Sequence, residues 1–433
     1  GRDPSREPVY TTADVVGLVQ QNPEDLFCTL TVEDEIAFGL ENRLVPRKEI
    51  ERRMDWALEA VGAAHLRERE LFSLSGGEKQ RIALAAVLAP GPEVILFDEP
   101  TSGLDPRAAK EIFRLLLDLQ RREGLTMLVA EHKQDFLQHA HPRRLYMEHG
   151  RLLPADEASW SGFTAQPSDT LPELQHTGNT PSGVPVPVAL HTEPIMEACA
   201  LTAGYDSRTV VQAVDLQLFP GEFVCLLGDS GSGKSTLLLT LLGLIPLMGG
   251  TVRFRGRDIA ELEPGSLHRQ TGIVFQNPDH QLFAPTVWQE AVLAAENFGL
   301  SPEQYEDFTR DLLESAGLGD RLEDHPHRLS FGQKRRLNLV SVLCFRPRIL
   351  FLDEVYTGQD PDNMAVMHSL LSAYVEQGNS VVLVNHDPEY TARAATRLLF
   401  LRDGRLVVDS PTASASAALR ELGETVYLPG GAL

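Results

Sequence analysis

The chain has 433 residues, of which 42% are hydrophobic and 23% charged, the balance of a globular protein with two or three domains. Its 39 basic and 61 acidic residues give a net charge of −22, which argues against nucleic acid as a partner because phosphate binding needs a basic surface. No apolar stretch approaches the roughly 20 residues that span a bilayer. The four scattered cysteines exclude a CxxC zinc ribbon.

An internal repeat decides the predicted organisation of the chain. In its first half, GLVQQNPEDLF resembles GIVFQNPDHQLF of the second half, LSGGEKQRIAL resembles LSFGQKRRLNL, and VILFDEP resembles ILFLDEV. Gln21 and Gln276 are 255 residues apart, and so are Asp98 and Asp353. We therefore predict two copies of one domain.

The register of the repeat predicts that the first copy is incomplete. Residues 1–3 align with residues 256–258 at the same offset, so residues 196–255 have no counterpart in the first copy. We expect this segment to be missing from the front, although a first copy that naturally lacks it fits the same pattern. The expected domains are residues 1–153, a Pro-rich linker at 154–195, residues 196–410, and a tail at 411–433 with a short helix from Ala413 to Leu422.

The first copy places polar residues at the ends of predicted elements. LSGGE precedes a helical pattern, where two glycines and a helix N-terminus can face phosphate, and where the serine and the glutamate can also simply cap the helix. The predicted strands VILFD and TMLVA lead into acids and a histidine. The candidate residues here are Gln21, Ser75, Gly76, Gly77, Glu78, Asp98, Glu99 and His132.

The second copy contains a complete phosphate-binding motif. GEFVCLLG predicts a buried strand, and GDSGSGKS follows it and fits G-x-x-x-x-G-K-[ST] in full. Lys234 is expected to reach the β- and γ-phosphates, and Ser235 to ligate Mg²⁺. The predicted nucleotide-binding residues are Tyr205, Gly228, Asp229, Ser230, Gly231, Ser232, Gly233, Lys234, Ser235 and Thr236.

Two features around this motif are predicted with it. The apolar run STLLLTLLGLI indicates a helix that continues until Pro246 and the Gly249–Gly250 pair stop it. Tyr205 lies 23 residues before Gly228 and is expected to stack on adenine, the plainer alternative being an ordinary core or surface tyrosine.

A glutamine, two acids and a histidine follow three further predicted strands of the second copy. Asp353 and Glu354 end the buried run ILFLDE, and we predict that Asp353 holds Mg²⁺ and Glu354 activates water, because a buried carboxylate needs a partner. Gln276 is predicted to reach Mg²⁺ or the γ-phosphate, and His386 to sense the γ-phosphate. A structural role at a strand end is the alternative for each.

These motifs, in this order, resemble the ATPase of an ATP-binding-cassette (ABC) transporter. Walker A is GDSGSGKST, the Q-loop residue is Gln276, the signature is LSGGE, Walker B is ILFLDE and the switch histidine is His386. QNPEDLF and QNPDHQLF are similar to the Q-loops of energy-coupling-factor (ECF) ATPases, and TGQD at 357–360 is similar to the second D-loop of fused two-cassette forms.

The resemblance implies an α/β fold of two P-loop NTPase cassettes. Each would be a mostly parallel sheet with flanking helices and a helical subdomain, the first cassette being incomplete. It also implies ATP and Mg²⁺ as cofactors and a peripheral position on the cytoplasmic face of the cell membrane. The implied partners are a transmembrane coupling subunit and a substrate-capture membrane subunit, for uptake of a vitamin, a vitamin precursor, cobalt or nickel.

In this family two cassettes pair head to tail, here within one chain, and each ATP lies between the Walker A of one and the signature of the other. The implied complete site joins the second-copy residues Lys234, Ser235, Gln276, Asp353, Glu354 and His386 to Ser75, Gly76, Gly77 and Glu78 of the first copy. The implied second site consists of Gln21, Asp98, Glu99, His132, Ser330, Gly332 and Gln333. Phe331 replaces a signature glycine there, and the Walker A would lie in the missing segment, so hydrolysis at this site is in doubt.

Other functions fit parts of the pattern. A tandem ABC ATPase of ribosomes usually has a long charged helical linker, whereas the linker here is Pro-rich. A DNA-repair ABC ATPase needs an insertion before the signature, and the spacing of 54 from Gln276 to Ser330 is too short for one. A fused-cassette sugar importer usually lacks the QNP segments. For the membrane partner, the apolar residues Leu26, Phe27, Leu282 and Phe283 after the two QNP turns predict a docking groove, unless they pack locally.

Overall fold

The structure is a computed structural model that describes residues 8–131, 143–148, 151–153 and 193–429. These residues form two compact units that divide between Arg144 and Leu145. The repeat register instead places the end of the first domain at residue 153. That boundary stays a prediction, as does the linker, whose residues 154–192 lie outside the described part of the chain.

The first unit is built on a parallel sheet of three strands. Their order is β1 (Val16–Val19), β2 (Val94–Asp98) and β3 (Thr126–Ala130). The buried faces of its helices and one face of the sheet share a single apolar core. The helices are α1 (Val9–Thr12), α2 (Val32–Glu41), α3 (Arg47–Ala60), α4 (Gly76–Leu88) and α5 (Pro106–Glu123).

The second unit begins with a hairpin of β4 (Tyr146–Glu148) and β5 (Arg151–Leu153). Its other strands are β6 (Met196–Tyr205), β7 (Arg208–Leu218), β8 (Phe223–Leu227), β9 (Leu247–Phe254), β10 (Arg257–Asp258), β11 (Thr271–Val274), β12 (Ile349–Asp353), β13 (Ser380–Val384), β14 (Arg397–Arg402) and β15 (Arg405–Pro411).

These later strands form two sheets. The larger sheet has six strands in the order β11-β12-β13-β8-β14-β15, and the smaller, antiparallel sheet has four in the order β10-β9-β6-β7. Neighbours in the larger sheet run parallel except β14 and β15.

Helices cover both faces of the larger sheet, as the sequence of its central strands requires. All residues of β8 and β13 are buried, and an unbroken apolar run of this kind is typical of parallel strands covered on both sides. The predicted α/β fold with a parallel sheet and flanking helices is confirmed. The helices of this unit are α6 (Lys234–Leu241), α7 (Val287–Asn297), α8 (Pro302–Ser315), α9 (Phe331–Leu343), α10 (Pro361–Glu376), α11 (Pro388–Ala394) and α12 (Thr412–Glu421).

The two units repeat the same packing in detail. Strands β1, β2 and β3 of the first unit correspond to β11, β12 and β13 of the second. A Cβ atom on Gly17 would lie 2.4 Å from the Val87 side chain, and one on Gly272 would lie 2.2 Å from the Val342 side chain. Gly17 and Gly272 are 255 residues apart, and so are Val87 and Val342. Helix α4 therefore approaches β1 in the first copy as α9 approaches β11 in the second.

One face of the first sheet is less covered than its counterpart. In the second unit, three leucines of α6 pack in one core with Val382 of β13, which is 1% exposed. At the matching position of the first unit, Leu128 of β3 is 52% exposed. The described residues of the first unit contain no equivalent of β8 or α6. The expectation that such a segment is missing from the front stays a prediction.

The structure corrects the predicted end of the helix after the phosphate motif. Helix α6 stops at Leu241, because Gly243 takes the left-handed conformation (φ 70°) that terminates helices. Gly249 and Gly250 do not stop the helix; they lie within β9. There Gly250 has φ 81°, and its missing Cβ allows close approach to the carbonyl oxygen of Ala200.

The predicted short C-terminal helix is confirmed as α12, but its segment is not a detached tail. Ala415 and Leu419 of α12, with Tyr427 from the following 3₁₀ turn, pack in one apolar cluster with Leu227 of β8 and Phe400 of β14. Residues 412–429 therefore belong to the fold of the second unit.

A buried histidine makes the stability of the second unit depend on pH. The Nδ1 atom of His368 lies 2.8 Å from the Tyr390 hydroxyl, and burial lowers the pKa of His368 below its usual value. As the pH falls through about 6.5, the unfolded chain takes up this proton before the folded chain does, so stability falls with pH. We expect the melting temperature of the wild type to drop more between about pH 8 and pH 6 than that of His368→Gln. Parallel losses in both proteins would contradict this assignment.

Candidate functional site

The phosphate motif forms the turn between β8 and α6, and the turn requires its glycines. Gly228 has φ 148°, and a Cβ atom there would lie 2.2 Å from the carbonyl oxygen of Leu401. Gly233, with φ 102°, begins α6. The buried Lys234 donates from Nζ to the carbonyl oxygens of Gly228 and Asp229, at 2.8 and 2.9 Å. The lysine thus holds the two ends of the loop together, beside the helix N-terminus that favours an anion.

The two acids after β12 lie in different environments. Burial, and then the neighbouring charge of Glu354, raise the pKa of Asp353 to about 6, although a hydrogen bond with the Ser235 side chain acts the other way. Asp353 Oδ1 is buried without a hydrogen-bond partner among the described residues. Glu354 has a left-handed backbone (φ 51°), which turns the chain sharply where the strand ends.

The carboxylate of Glu354 is held between two side chains that the sequence singled out. Gln276 Nε2 donates to Glu354 Oε2 at 2.8 Å, and His386 Nε2 lies 2.8 Å from Glu354 Oε1. Burial raises the pKa of Glu354, but the charge and hydrogen bond of His386, together with the charges of Lys234 and Arg335, bring it below the usual value. The glutamate is therefore ionised at neutral pH and placed to accept a proton.

Three buried polar atoms around this group lack a hydrogen-bond partner among the described residues. They are Ser232 Oγ in the phosphate loop, Asp353 Oδ1 and His386 Nδ1. Such atoms are costly to bury and point to a missing ligand. A hydroxyl, a carboxylate and a lysine beside a helix N-terminus fit a nucleoside triphosphate, and the oxygens of Ser235 and Asp353 suit Mg²⁺.

The remaining predicted nucleotide-binding residues lie around the loop. Tyr205 ends β6 and is 50% exposed, which leaves its ring accessible for stacking. Ser230 and Gly231 are exposed at the tip of the loop, and Thr236 is buried in the first turn of α6. Their contacts with nucleotide stay predictions.

The first unit repeats the glutamine–glutamate pair. Gln21 Nε2 donates to Glu99 Oε2 at 2.9 Å, and Glu99 is left-handed (φ 43°) like Glu354. Asp98 ends β2 and is exposed. His132 lies outside the described residues, so its predicted role is not tested.

Both signature segments begin a helix with the same cap. Ser75 and Glu78 form a reciprocal capping box at α4, and Ser330 and Gln333 form one at α9. Gly76 and Gly77 lie in the first turn of α4, and Gly332 lies in that of α9. The capping role predicted for Ser75 and Glu78 is therefore present, and it leaves the exposed N-terminus of α4 available to an anion. Phe331, 44% exposed, covers this end of α9, and the Arg335 guanidinium lies 4.8 Å from its ring centre.

Comparison with known proteins agrees with this geometry. The sequence model of the family described as ABC transporter matches residues 1–102 and 211–357, more than half of the chain. The chain belongs to the ABC transporter family. Its ATP-binding domains are ATPases, and the chain is the ATP-binding subunit of such a transporter.

The relatives of this ABC ATPase include ATP-binding proteins that it matches over most of their length. One, from Methanosarcina acetivorans, is described provisionally as an ABC transporter ATP-binding protein and is 32% identical over 99% of this chain and 78% of its own length. Another is YkoD of Bacillus subtilis (strain 168), provisionally an HMP/thiamine import ATP-binding protein, 32% identical over 94% of this chain and 78% of its own. The solved structure of cbiO1 from Clostridium perfringens, described as part of the ABC transporter complex cbiONQ, shares 27% identity over 54% of this chain and 94% of its own, with a TM-score of 0.48.

Sequence reasoning missed one contact of the Walker A loop. Tyr427 donates from its hydroxyl to Asp229 Oδ1 at 2.7 Å, inside the Walker A loop. The residue lies 198 positions from its partner, in a segment that carries no family motif, so the sequence offered no signal for the contact.

Replacing Gly228 tests whether the loop geometry is needed for nucleotide binding. In Gly228→Ala, the added methyl group would meet the Leu401 carbonyl, so the loop must shift. We expect more than about a tenfold loss of affinity for a fluorescent ATP analogue, since 1.4 kcal/mol suffices for that. Gly256→Ala is the matched control, because Gly256 has φ 77° and open space around its Cβ position. Unchanged affinity in Gly228→Ala would contradict the loop structure.

Proposed function

We propose that this chain is the ATPase of an ECF-type transporter, in which ATP hydrolysis drives uptake through separate membrane subunits. The observation that carries the proposal is the ionised Glu354 carboxylate, held by Gln276 and His386 beside the Walker A loop. In the proposed reaction, Glu354 orients a water molecule and takes its proton as the water attacks the γ-phosphate in line.

The other residues of the second copy have distinct roles in this proposal. Lys234 and the amides of the loop bind the β- and γ-phosphates, Gln276 and His386 position Glu354, and Tyr205 stacks on adenine. Ser235 and Asp353, with Gln276, would hold Mg²⁺, which supplies charge neutralisation on the phosphates when bound. The signature residues of the first copy, Ser75, Gly76, Gly77 and Glu78, would complete the site by closing on the γ-phosphate.

The second composite site is proposed to be weaker. It would combine Gln21, Asp98, Glu99 and His132 with the altered signature of Ser330, Phe331, Gly332 and Gln333. Phe331 places an aromatic ring where the first copy has Gly76, and this ring prevents a close approach of backbone to phosphate. Closure and reopening around the complete site would then drive the membrane subunits, because ATP favours the closed state.

Glutamine substitutions test this asymmetry directly. Glu354→Gln removes the base and keeps its volume, and we expect the ATPase rate of the full chain to fall by roughly 10²–10⁴-fold. The matched variant Glu99→Gln should lose much less, since its site has the altered signature. Steady-state phosphate release by the two variants is the measurement. Equal losses would refute the unequal sites, and an unchanged rate in Glu354→Gln would refute the proposed base.

The class of substrate is proposed from two observations. Both QNP segments are similar to ECF Q-loops, and the relative YkoD is described as serving HMP/thiamine import. We infer a vitamin, a vitamin precursor or a transition-metal ion as cargo, captured by a separate membrane subunit. Among the described residues, no helix is long and apolar enough to cross a membrane. The proposed position is peripheral, on the cytoplasmic face of the membrane.

The proposed docking surface for the coupling subunit is narrower than the sequence suggested. Leu282 is buried in the core of the second unit, so this residue packs locally and is not part of a groove. Leu26 and Phe27 are partly buried, and Phe27 packs on the first core. Phe283, in contrast, is 76% exposed, so its ring is accessible to a partner.

A charge at Phe283 tests the docking surface. Phe283→Asp should release the chain from the membrane fraction of its source cells, because an aspartate cannot be buried in an apolar contact. The purified variant should hydrolyse ATP like the wild type, which checks its folding. Leu244→Asp, at another exposed apolar residue of the same unit, is the control and should stay bound. Retention of Phe283→Asp on membranes would exclude this surface.

A further inference from the structure

The C-terminal segment of the second unit packs against the base of the Walker A loop. Leu227, the residue before Gly228, shares an apolar cluster with Leu419 of α12 and with Tyr427. Arg402 at the end of β14 forms an ion pair with Glu424 at 3.2 Å, which holds the turn after α12 against the sheet. The family match ends at residue 357, so the C-terminal segment lies outside the part of the chain that the family model describes.

Tyr427 connects this segment to the loop itself. Its ring is 1% exposed and meets the edge of Phe400, with ring centres 4.9 Å apart. Its hydroxyl donates to Asp229 Oδ1 at 2.7 Å. Because both the ring and the hydroxyl have defined partners, the side chain has little freedom to leave this position.

Asp229 is an unfavourable residue for a loop that binds polyphosphate. Its carboxylate carries the same charge as the phosphates, and two charges a few ångströms apart repel strongly where water is partly excluded. A hydroxyl that donates to the carboxylate fixes its position and withdraws part of its charge. The backbone of the same residue is held separately, since its carbonyl oxygen accepts from Lys234.

We propose that Tyr427 is a positioning residue for ATP binding, which holds the Asp229 carboxylate so that the Walker A loop accepts the phosphates. The inference rests on the proposed function of this loop as the nucleotide site. Residues 412–429 then support the loop, because their packing on β8 and β14 fixes the position of the tyrosine. It contributes to nucleotide affinity and takes no part in the chemical step.

The test is Tyr427→Phe in the full chain, which removes the hydroxyl and keeps the packed ring. We expect the KM for MgATP, and the dissociation constant of a fluorescent ATP analogue, to rise about three- to tenfold, as for the loss of one ordinary hydrogen bond. The kcat should stay unchanged, because Glu354 and its partners are not touched. A merely structural role would lower the melting temperature without raising KM at a temperature well below it.

Two further variants make the result decisive. Tyr374→Phe is the matched control, since the Tyr374 hydroxyl is buried and donates to the Pro347 carbonyl oxygen at 2.9 Å, away from the loop. Its KM should not change. Asp229→Asn removes the charge, and adding Tyr427→Phe to it should then raise KM by less than about twofold, because the pair is coupled.

The outcomes separate this inference from the proposed function. The positioning role is overturned if the KM of Tyr427→Phe equals that of the wild type, or if the KM of Tyr374→Phe rises by as much. It is also overturned if Tyr427→Phe raises KM as much on the Asp229→Asn background as it does in the wild type. If Tyr427→Phe does not fold, an unchanged KM in Asp229→Glu, whose longer side chain moves the carboxylate away from the Tyr427 hydroxyl, would overturn it as well. Failure of the wild type to bind or hydrolyse ATP would instead refute the proposed function.

Discussion

Glu354 is a carboxylate inside the protein, and burial by itself favours its protonated form. A protonated acid cannot take a proton from water, so the proposed hydrolysis depends on keeping this group ionised. The charge and hydrogen bond of His386, with the charges of Lys234 and Arg335, lower its pKa. His386 and Gln276 each make a hydrogen bond of 2.8 Å to one of its two oxygens. Gln276, Glu354 and His386 follow β11, β12 and β13 respectively, and these strands are adjacent and parallel. The register of these strands is thus the structural basis of the site.

That arrangement could be predicted because its signals are local. Each strand is a short apolar run with a polar residue at its carboxyl end, and parallel strands end at the same edge of a sheet. The end of α6 could not be predicted in this way, since Leu242, Leu244 and Ile245 continue the apolar pattern and only the conformation of Gly243 stops the helix. The burial of Leu282 beside the exposed Phe283 depends on how one loop turns over the core. The contact of Tyr427 with Asp229 joins positions far apart in sequence, and it has no local pattern at all.

The two copies show which features belong to the shared motif and which to one copy. The glutamine–glutamate pair recurs with distances of 2.9 and 2.8 Å, and so do the left-handed glutamates and the capping boxes. The difference lies at the start of α9. There Phe331 packs on Arg335, which donates from Nη1 to the carbonyl oxygen of Glu354 at 2.8 Å. The first copy has Gln80 at the position of Arg335. The altered signature helix is therefore bonded to the turn that carries the proposed base.

The loop after β11 connects the proposed docking residue to the same base. Gln281 bonds back to the Phe275 amide and the Ile273 carbonyl, at 2.9 and 3.1 Å, and Asn338 donates to the Pro278 carbonyl at 2.9 Å. At the far end, the amide of Phe283 donates to Glu290 of α7. Two of these bonds close the loop on itself, and the other two fix it to helices α9 and α7. The proposed docking residue Phe283 and Gln276, which donates to Glu354, therefore belong to one hydrogen-bonded loop.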